Sequence, residues 1–284
     1  MPLKTVLITG CSAGGIGAAI AATLAKHGHH VFASARDISK IPEELSNLSN
    51  VNVIQLDVSS TDSVAAAAAV VKDGGRGLDV LVNNAGAGYA MPILDIDIDK
   101  AQKLHDTNLW GTVRMVQAFA GLLIESRGRV INMSTIGAIL NMPWISTYTS
   151  SKAALTLLSE TLRLELAPFG ISVVTIMGGI LESHFHDNDP FKLPPNSRYA
   201  KIEDTIAGWA SGKSKPEGMT AERFSEVVLK DIVDDGQNGV VWRGPNAGSA
   251  RIASRLMPTS LMDYSLRQGQ GLAELEESIA GNKT

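Results

Sequence analysis

Seven short runs rich in β-branched and apolar residues, at 5–9, 30–34, 51–56, 80–83, 129–133, 172–177 and 239–242, are separated by longer stretches with helical periodicity at 16–26, 63–72, 98–126, 148–167 and 221–233. Runs this continuously apolar have no polar face to offer water, so each strand must be covered on both sides, and the intervening helices supply the crossovers that parallel strands require. The alternation predicts an α/β fold, a doubly wound parallel sheet of about seven strands with helices on both faces. The alanine run at 65–69 fits through helix propensity, with Val64 and Val70 giving it a buried side. One segment, 178–218, breaks the pattern with His, Asp, Asn, Pro, Lys and scattered aromatics, and reads as a substrate lid on a single domain spanning 1–284.

An apolar content of 44% is enough to bury a large core, while 19% charged residues and a net charge of −4 give no field to gather nucleic acid or anionic lipid. The expected partner is a small molecule. Cys11 is the only cysteine, which excludes an internal disulfide and suits a reducing compartment. The N-terminal MPLKTVLITG enters a strand without a charged leader or a long apolar run, so a cytoplasmic location is the default expectation. Residues 250–266 include Arg251, Arg255 and Asp263 and fall short of a spanning length, so no transmembrane segment is expected and peripheral membrane contact stays open.

Two places carry chemistry. The first run leads into Thr9-Gly10-Cys11-Ser12-Ala13-Gly14-Gly15-Ile16-Gly17 and straight into a helix. Glycines there let the backbone approach a pyrophosphate, whose charge is held by the amides and dipole of the helix N-terminus; an ordinary tight turn uses the same residues. Farther on, Tyr148 and Lys152 lie four apart on one helical face. A tyrosine has an ordinary pKa of about 10, and a nearby cation favours its phenolate, moving it toward acid/base work as the proton donor to a carbonyl oxygen. The bland reading of that spacing is a surface helix pair.

With Asn83-Asn84-Ala85-Gly86 after the fourth run, these segments resemble, in order, the TGxxxGxG, NNAG and YxxxK motifs of the short-chain dehydrogenases/reductases. The resemblance runs from Thr9 to the seventh run and implies a Rossmann-type fold and an NADP(H)-dependent oxidoreductase acting on a carbonyl or alcohol. This turn has one residue more between Gly10 and Gly15 than the family pattern. Gly10, Gly15 and Gly17 are the candidate phosphate-binding glycines, with Ser12 and Ile16 nearby. Where NAD-binding members carry an acid, this chain has Ala35, followed by Arg36, which is placed to pair with the 2′-phosphate of NADP. The alternatives are a solvated Arg36 and, through Asp37, NAD. Asp57 and Val58 match the pair at the adenine. Asn83, Ala85 and Gly86 lie beside the cofactor, Asn83 satisfying buried backbone groups, and Asn84 is either a contact or structural. Gly178-Gly179-Ile180-Leu181-Glu182-Ser183 resembles the PGxVxT turn that takes the nicotinamide carboxamide, which makes Gly179, Leu181 and Ser183 candidates.

The family also places a hydroxyl thirteen residues before the tyrosine; that position is Thr135, with Ser134 as second choice. Asn108 matches the helix asparagine that holds a water next to the lysine; a helix kink with no proton role is the alternative. The turn, the Pro143-Trp144 lead into the tyrosine, 195–199 and 241–244 resemble the branch of fungal acyl-dihydroxyacetone-phosphate reductases, implying reduction of a lipid-like or secondary-metabolite carbonyl. The helices at 98–126 and 148–167 resemble those through which the family forms homodimers and homotetramers. Met142, Trp144, Phe185, Phe191 and Trp209 either line an apolar pocket or pack the lid. His184, His186, Asp187 and Asp189 suit a polar lid better than a metal site, since no distant ligand is evident. Two other functions stand beside the reductase: a biosynthetic enzyme whose bound nicotinamide serves a cyclisation or epimerisation, and a cofactor-binding sensor without turnover.

Overall fold

The computed structural model describes residues 2–182 and 191–281. Strands β1 (Thr5–Thr9), β2 (His30–Ala35), β3 (Val51–Gln55), β4 (Val80–Asn83), β5 (Arg129–Thr135), β6 (Ser172–Gly178) and β7 (Gly239–Arg243) form a parallel sheet in the order β3-β2-β1-β4-β5-β6-β7. The helices are α1 (Ile16–Lys26), α2 (Glu43–Ser46), α3 (Thr61–Asp73), α4 (Ile98–His105), α5 (Gly111–Ser126), α6 (Ser146–Leu166), α7 (Glu203–Ala210), α8 (Ala221–Val233), α9 (Ala247–Leu256), α10 (Thr259–Arg267) and α11 (Leu272–Gly281). One face of the sheet buries Ile20, Leu24, Val228 and Ile232 from α1 and α8; the other buries Val64 and Val71 of α3 with Met115, Phe119 and Leu123 of α5. This is the doubly wound, Rossmann-type arrangement that the alternation implies.

The chain runs from β1 outward to β3, then returns to start the other half at β4. The loops leaving β1 and β4 therefore diverge at the carboxyl edge and open a crevice between them, the usual ligand position in such sheets.

Three departures from the expected elements bear on the site. First, β5 and β6 continue beyond 133 and 177, because Ser134 pairs with Met177 and Thr135 with Gly178, extending the ladder past the apolar run. Second, the expected helix 98–126 is broken by a π-helical turn, Asp106–Trp110, between α4 and α5. The wide turn carries the buried Asn108, whose side chain bonds outside the helix, and sets Gly111 so close to Val58 that a Cβ there would lie 2.8 Å from Val58 Cγ2. Third, the segment 178–218 is not wholly irregular: α7 buries Ile206 and Ala210, with Trp144 packed beside Ile206. Beyond β7, α9 to α11 had no counterpart in the sequence reading.

Candidate active site

Where β1 ends, Gly10 takes φ +77, and a Cβ on it would come within 2.9 Å of Ala85 Cα. A Cβ on Gly17 would meet Gly10 O and Asn84 Nδ2, each at 2.4 Å, and one on Gly15 would meet Ser12 O at 2.9 Å. The glycines thus let the turn close on the loop after β4 and on itself. Thr9 Oγ1 accepts from the amides of Asn84 (3.0 Å) and Ala85 (2.9 Å), while Asn84 Nδ2 donates to Thr9 O (2.8 Å) and Gly10 O (3.2 Å). Asn84 therefore takes the structural option, and Thr9 is a site residue that the sequence reading did not assign.

Helix α1 begins at Ile16 with no side-chain cap and no acid in its first turn, whereas Ser60, Asp97 and Thr220 cap α3, α4 and α8. Its positive end is left for an anion in the crevice, which fits a dinucleotide pyrophosphate beside Ser12 and Gly15. Cys11 lies beneath this turn, and burial pushes its thiol up to about 12, so it is no nucleophile there.

At the end of β2 Arg36 is exposed, and among the described residues none engages its guanidinium. Asp37 is engaged with its own turn: its carboxylate accepts from Ser39 Oγ (2.7 Å) and Ser39 N (3.0 Å), which holds it below the usual range. Asp57 likewise accepts from Ser59 Oγ (2.6 Å) and Ser59 N (2.9 Å), and Val58 is buried against Gly111. Beyond Ala85, Gly86 sits between the crevice and the reacting groups: a Cβ there would lie 3.3 Å from Asn108 Oδ1 and 3.6 Å from Lys152 Nζ.

The candidate reacting groups gather where β5 meets α6. Thr135 ends the strand, and its hydroxyl hydrogen-bonds the Tyr148 phenol while accepting from Gly137 N at 3.2 Å. Ser134, one residue earlier, faces the opposite side of the sheet's pleat and bonds Thr156 Oγ1 at 2.7 Å. Lys152 is buried, with Nζ donating to Met133 O at 2.9 Å. Burial lowers its pKa to about 8. Asn108 accepts from Ala87 N (2.8 Å) and donates to Ala87 O (3.0 Å) and Ser151 Oγ (3.0 Å), which ties the loop after β4 to the helix that carries Tyr148 and Lys152.

Two expectations need correction. Lys152 does not draw the phenol toward neutrality in this protein alone: burial raises Tyr148 to about 12, and the bond to Thr135 only partly offsets it. Asn83 does not satisfy backbone groups and does not face the crevice; its Nδ2 donates to Asn132 Oδ1 (2.9 Å) inside the sheet, and Asn132 Nδ2 donates to Ser159 Oγ (2.8 Å) on α6. The register explains this, since Asn83 and Asn132 are paired on adjacent strands.

After β6, a Cβ on Gly179 would stand 1.8 Å from Pro245 O, and its amide donates to Arg243 O at 2.8 Å. Leu181 forms a parallel bridge with Met219 and its carbonyl accepts from Lys215 Nζ. Ser183, Phe185 and the His184, His186, Asp187 and Asp189 group lie outside the described residues. Of the aromatics weighed for a pocket, Trp144, Phe191 and Trp209 cluster with Tyr199, Ile202 and Ile206, and Phe191 and Tyr199 also pack with Tyr148, Tyr89 and Met91. Apolar side chains thus flank the phenol. Residues missed from sequence are Thr9, Ser151 and the Met133 carbonyl; the first two stand inside the TG and YxxxK segments, while a backbone acceptor leaves no sequence signal.

Residues 4–190 match the family model described as short chain dehydrogenase. The chain is 42% identical over 262 residues to short-chain dehydrogenase PC-15 of Penicillium crustosum, covering 92% of this chain and 96% of that protein. It is 33% identical over 282 residues, 93% of each chain, to the NADPH-dependent 1-acyldihydroxyacetone phosphate reductase of Schizosaccharomyces pombe. Among solved structures, a short-chain dehydrogenase from Streptomyces avermitilis superposes with a TM-score of 0.75 at 25% identity, covering 99% of this chain and 98% of that one.

Proposed function

Starting from the fact that the chain belongs to the short-chain dehydrogenase family of oxidoreductases, we propose that it reduces a ketone or aldehyde carbonyl of a lipid-like or secondary-metabolite substrate to an alcohol, with NADPH. The observation that carries this reading is the hydroxyl pair of Thr135 and Tyr148 at the end of β5, flanked by apolar side chains, with Lys152 one helical turn beyond the tyrosine. When bound, the nicotinamide supplies the hydride to the carbonyl carbon. The chain's own groups handle the oxygen. Thr135 and Tyr148 hold it with two hydroxyl donors, stabilising the charge that develops as the carbonyl is reduced. Tyr148 then gives up its phenolic proton to complete the alcohol, and regains one from solvent. Its raised pKa keeps that proton in place through neutral pH, the form a reduction needs.

The remaining groups read as cofactor contacts. Gly10, Ser12, Gly15, Ile16 and Gly17 present backbone to the phosphates; Arg36 pairs with the 2′-phosphate; Asp57 and Val58 flank the adenine. Ala85 and Gly86 line the path to the nicotinamide, Gly179 and Leu181 receive its carboxamide, and Lys152 holds the ribose. The exposed Arg36 beside a self-engaged Asp37 favours NADPH over NADH. The name of the relative from Schizosaccharomyces pombe points the same way. The exposed Trp110 on the turn before α5, with Leu157 and Leu164 on α6, supports a homo-oligomer. The reading is tested by incubating purified protein with NADPH and a panel of apolar ketones, following NADPH absorbance together with product mass. An alcohol two hydrogens heavier than its ketone is expected; NADPH consumption without such a product on any ketone would refute it.

A further inference from the structure

Helices α9 and α10 are joined through Met257 and Pro258 and carry an outer face unlike the rest of the surface. Ile252, Leu256, Met257, Leu261 and Tyr264 are exposed on it, Leu256 by 79%. Ile252 and Leu256 are four apart, as are the exposed Arg251 and Arg255, so an apolar stripe and a cationic stripe run side by side along α9. Arg267 at the end of α10 is paired with Glu276 of α11, which leaves Arg251 and Arg255 as the cations of this face. Between 247 and 267 the one acid is Asp263, and its carboxylate accepts from Asn141 Nδ2 at 2.9 Å. In a chain of net charge −4 this is a local concentration of positive charge around apolar side chains.

We propose that the outer face of α9 and α10 docks on an anionic lipid bilayer, with the apolar stripe in the headgroup layer and Arg251 and Arg255 on the lipid phosphates and carboxylates. Apolar residues bordered by arginines are the chemistry that such a surface recognises. At about 1.5 Å per residue neither helix approaches the roughly 30 Å of a bilayer core, so they lie along the surface. A second copy is the weaker fit: an isologous contact would bring Arg251 and Arg255 against the same two arginines, with Asp263 held by Asn141. The placement is also functional in sense. The underside of α9 packs on the turn Ile136–Ile139 that follows Thr135, and Asn141 tethers α10 to the same loop, so the docked face lies across the substrate side of the site. The proposal deepens the lipid-like substrate class of the reductase reading, but binding is measured without substrate or cofactor, so either can fail alone.

The test is sedimentation of the full chain with vesicles of phosphatidylcholine alone and of equal parts phosphatidylcholine and phosphatidylserine. The protein is expected to pellet with the second and stay in solution with the first, and added salt should release it. Each arginine near an anionic surface is worth about fivefold in partitioning, so Arg251→Glu with Arg255→Glu should weaken binding by about 25-fold or more. Leu256→Asp with Leu261→Asp, at exposed positions that do not hold the fold, should abolish it while the melting temperature and turnover of a water-soluble ketone stay unchanged. No pelleting of the unaltered protein, or equal pelleting after the leucine changes, overturns the proposal. So does sedimentation velocity in which the leucine changes split an oligomer while the parent ignores vesicles, which would assign the face to a second copy.

Discussion

Replacing Thr135 by Val and Ser134 by Ala removes neighbouring hydroxyls whose surroundings predict opposite outcomes. Thr135→Val keeps the side chain's shape and its strand geometry but takes away the group that meets the Tyr148 phenol. Loss of one donor to a developing oxyanion costs about 10²–10³ in kcat, so turnover should fall by about that factor. Ser134→Ala breaks the bond to Thr156, yet Thr156 Oγ1 still donates to Lys152 O at 2.8 Å and is not orphaned. One lost hydrogen bond with no stranded partner costs about 1 kcal/mol of stability, a melting shift of a few degrees, and little turnover. The assay is kcat/KM on one ketone at one pH, with a thermal melt for each variant; Thr135→Ser should remain active. If Ser134→Ala loses a hundredfold in kcat/KM while Thr135→Val is mild, Ser134 is the substrate-facing hydroxyl and the assignment built on the β5 register fails.

Three further outcomes are expected. Arg36→Ala should weaken NADPH binding about ten- to a hundredfold, the worth of a charge-assisted phosphate contact, and leave NADH unchanged in fluorescence titration; equal affinities of the unaltered protein for the two would refute the role. Lys152 has a folded pKa of about 8, below the roughly 10.4 of an exposed lysine, so its buried charge penalises the cofactor-free fold below pH 8 and that penalty is relieved as pH rises toward 10.4. Lys152→Met should therefore raise the melting temperature at pH 7, with the gain shrinking above pH 8; a variant that is less stable at pH 7 would show that the Met133 bond outweighs desolvation. Leu157→Asp with Leu164→Asp should yield a monomer in sedimentation velocity if the α6 face joins copies, and an unchanged sedimentation coefficient would remove that face from the interface.

The sheet was legible because buried parallel strands must be apolar throughout, and the seven runs marked them to within a residue or two. What extends them is pairing rather than composition, and Thr135 enters β5 only because Gly178 stands opposite. The π-turn was only partly legible: a kink was one of the two readings of Asn108, but Asp106 to Trp110 keep a helical pattern while Asn108 spends its amide on Ala87 and Ser151, a tertiary demand that periodicity does not encode. Asn83 misled for a related reason. Its position in NNAG suggests the crevice, but the strand pleat turns it into the sheet onto Asn132. The Tyr148 and Lys152 spacing was readable and their electrostatics were not, since burial acts on each through surroundings that come from distant segments. Helices α9 to α11 escaped because their outer faces are exposed and mixed, leaving little apolar rhythm to detect.

The central claim is that Tyr148 delivers the proton to a carbonyl oxygen while Lys152 holds the cofactor, and the direct measurement is single-turnover reduction by Tyr148→Phe beside an NADPH titration of the same protein. General acid catalysis contributes about 10²–10⁴-fold, so the rate should fall by that factor with NADPH affinity retained, and Lys152→Ala should lose both. A Tyr148→Phe enzyme that reduces the ketone at close to the parent rate would contradict the account.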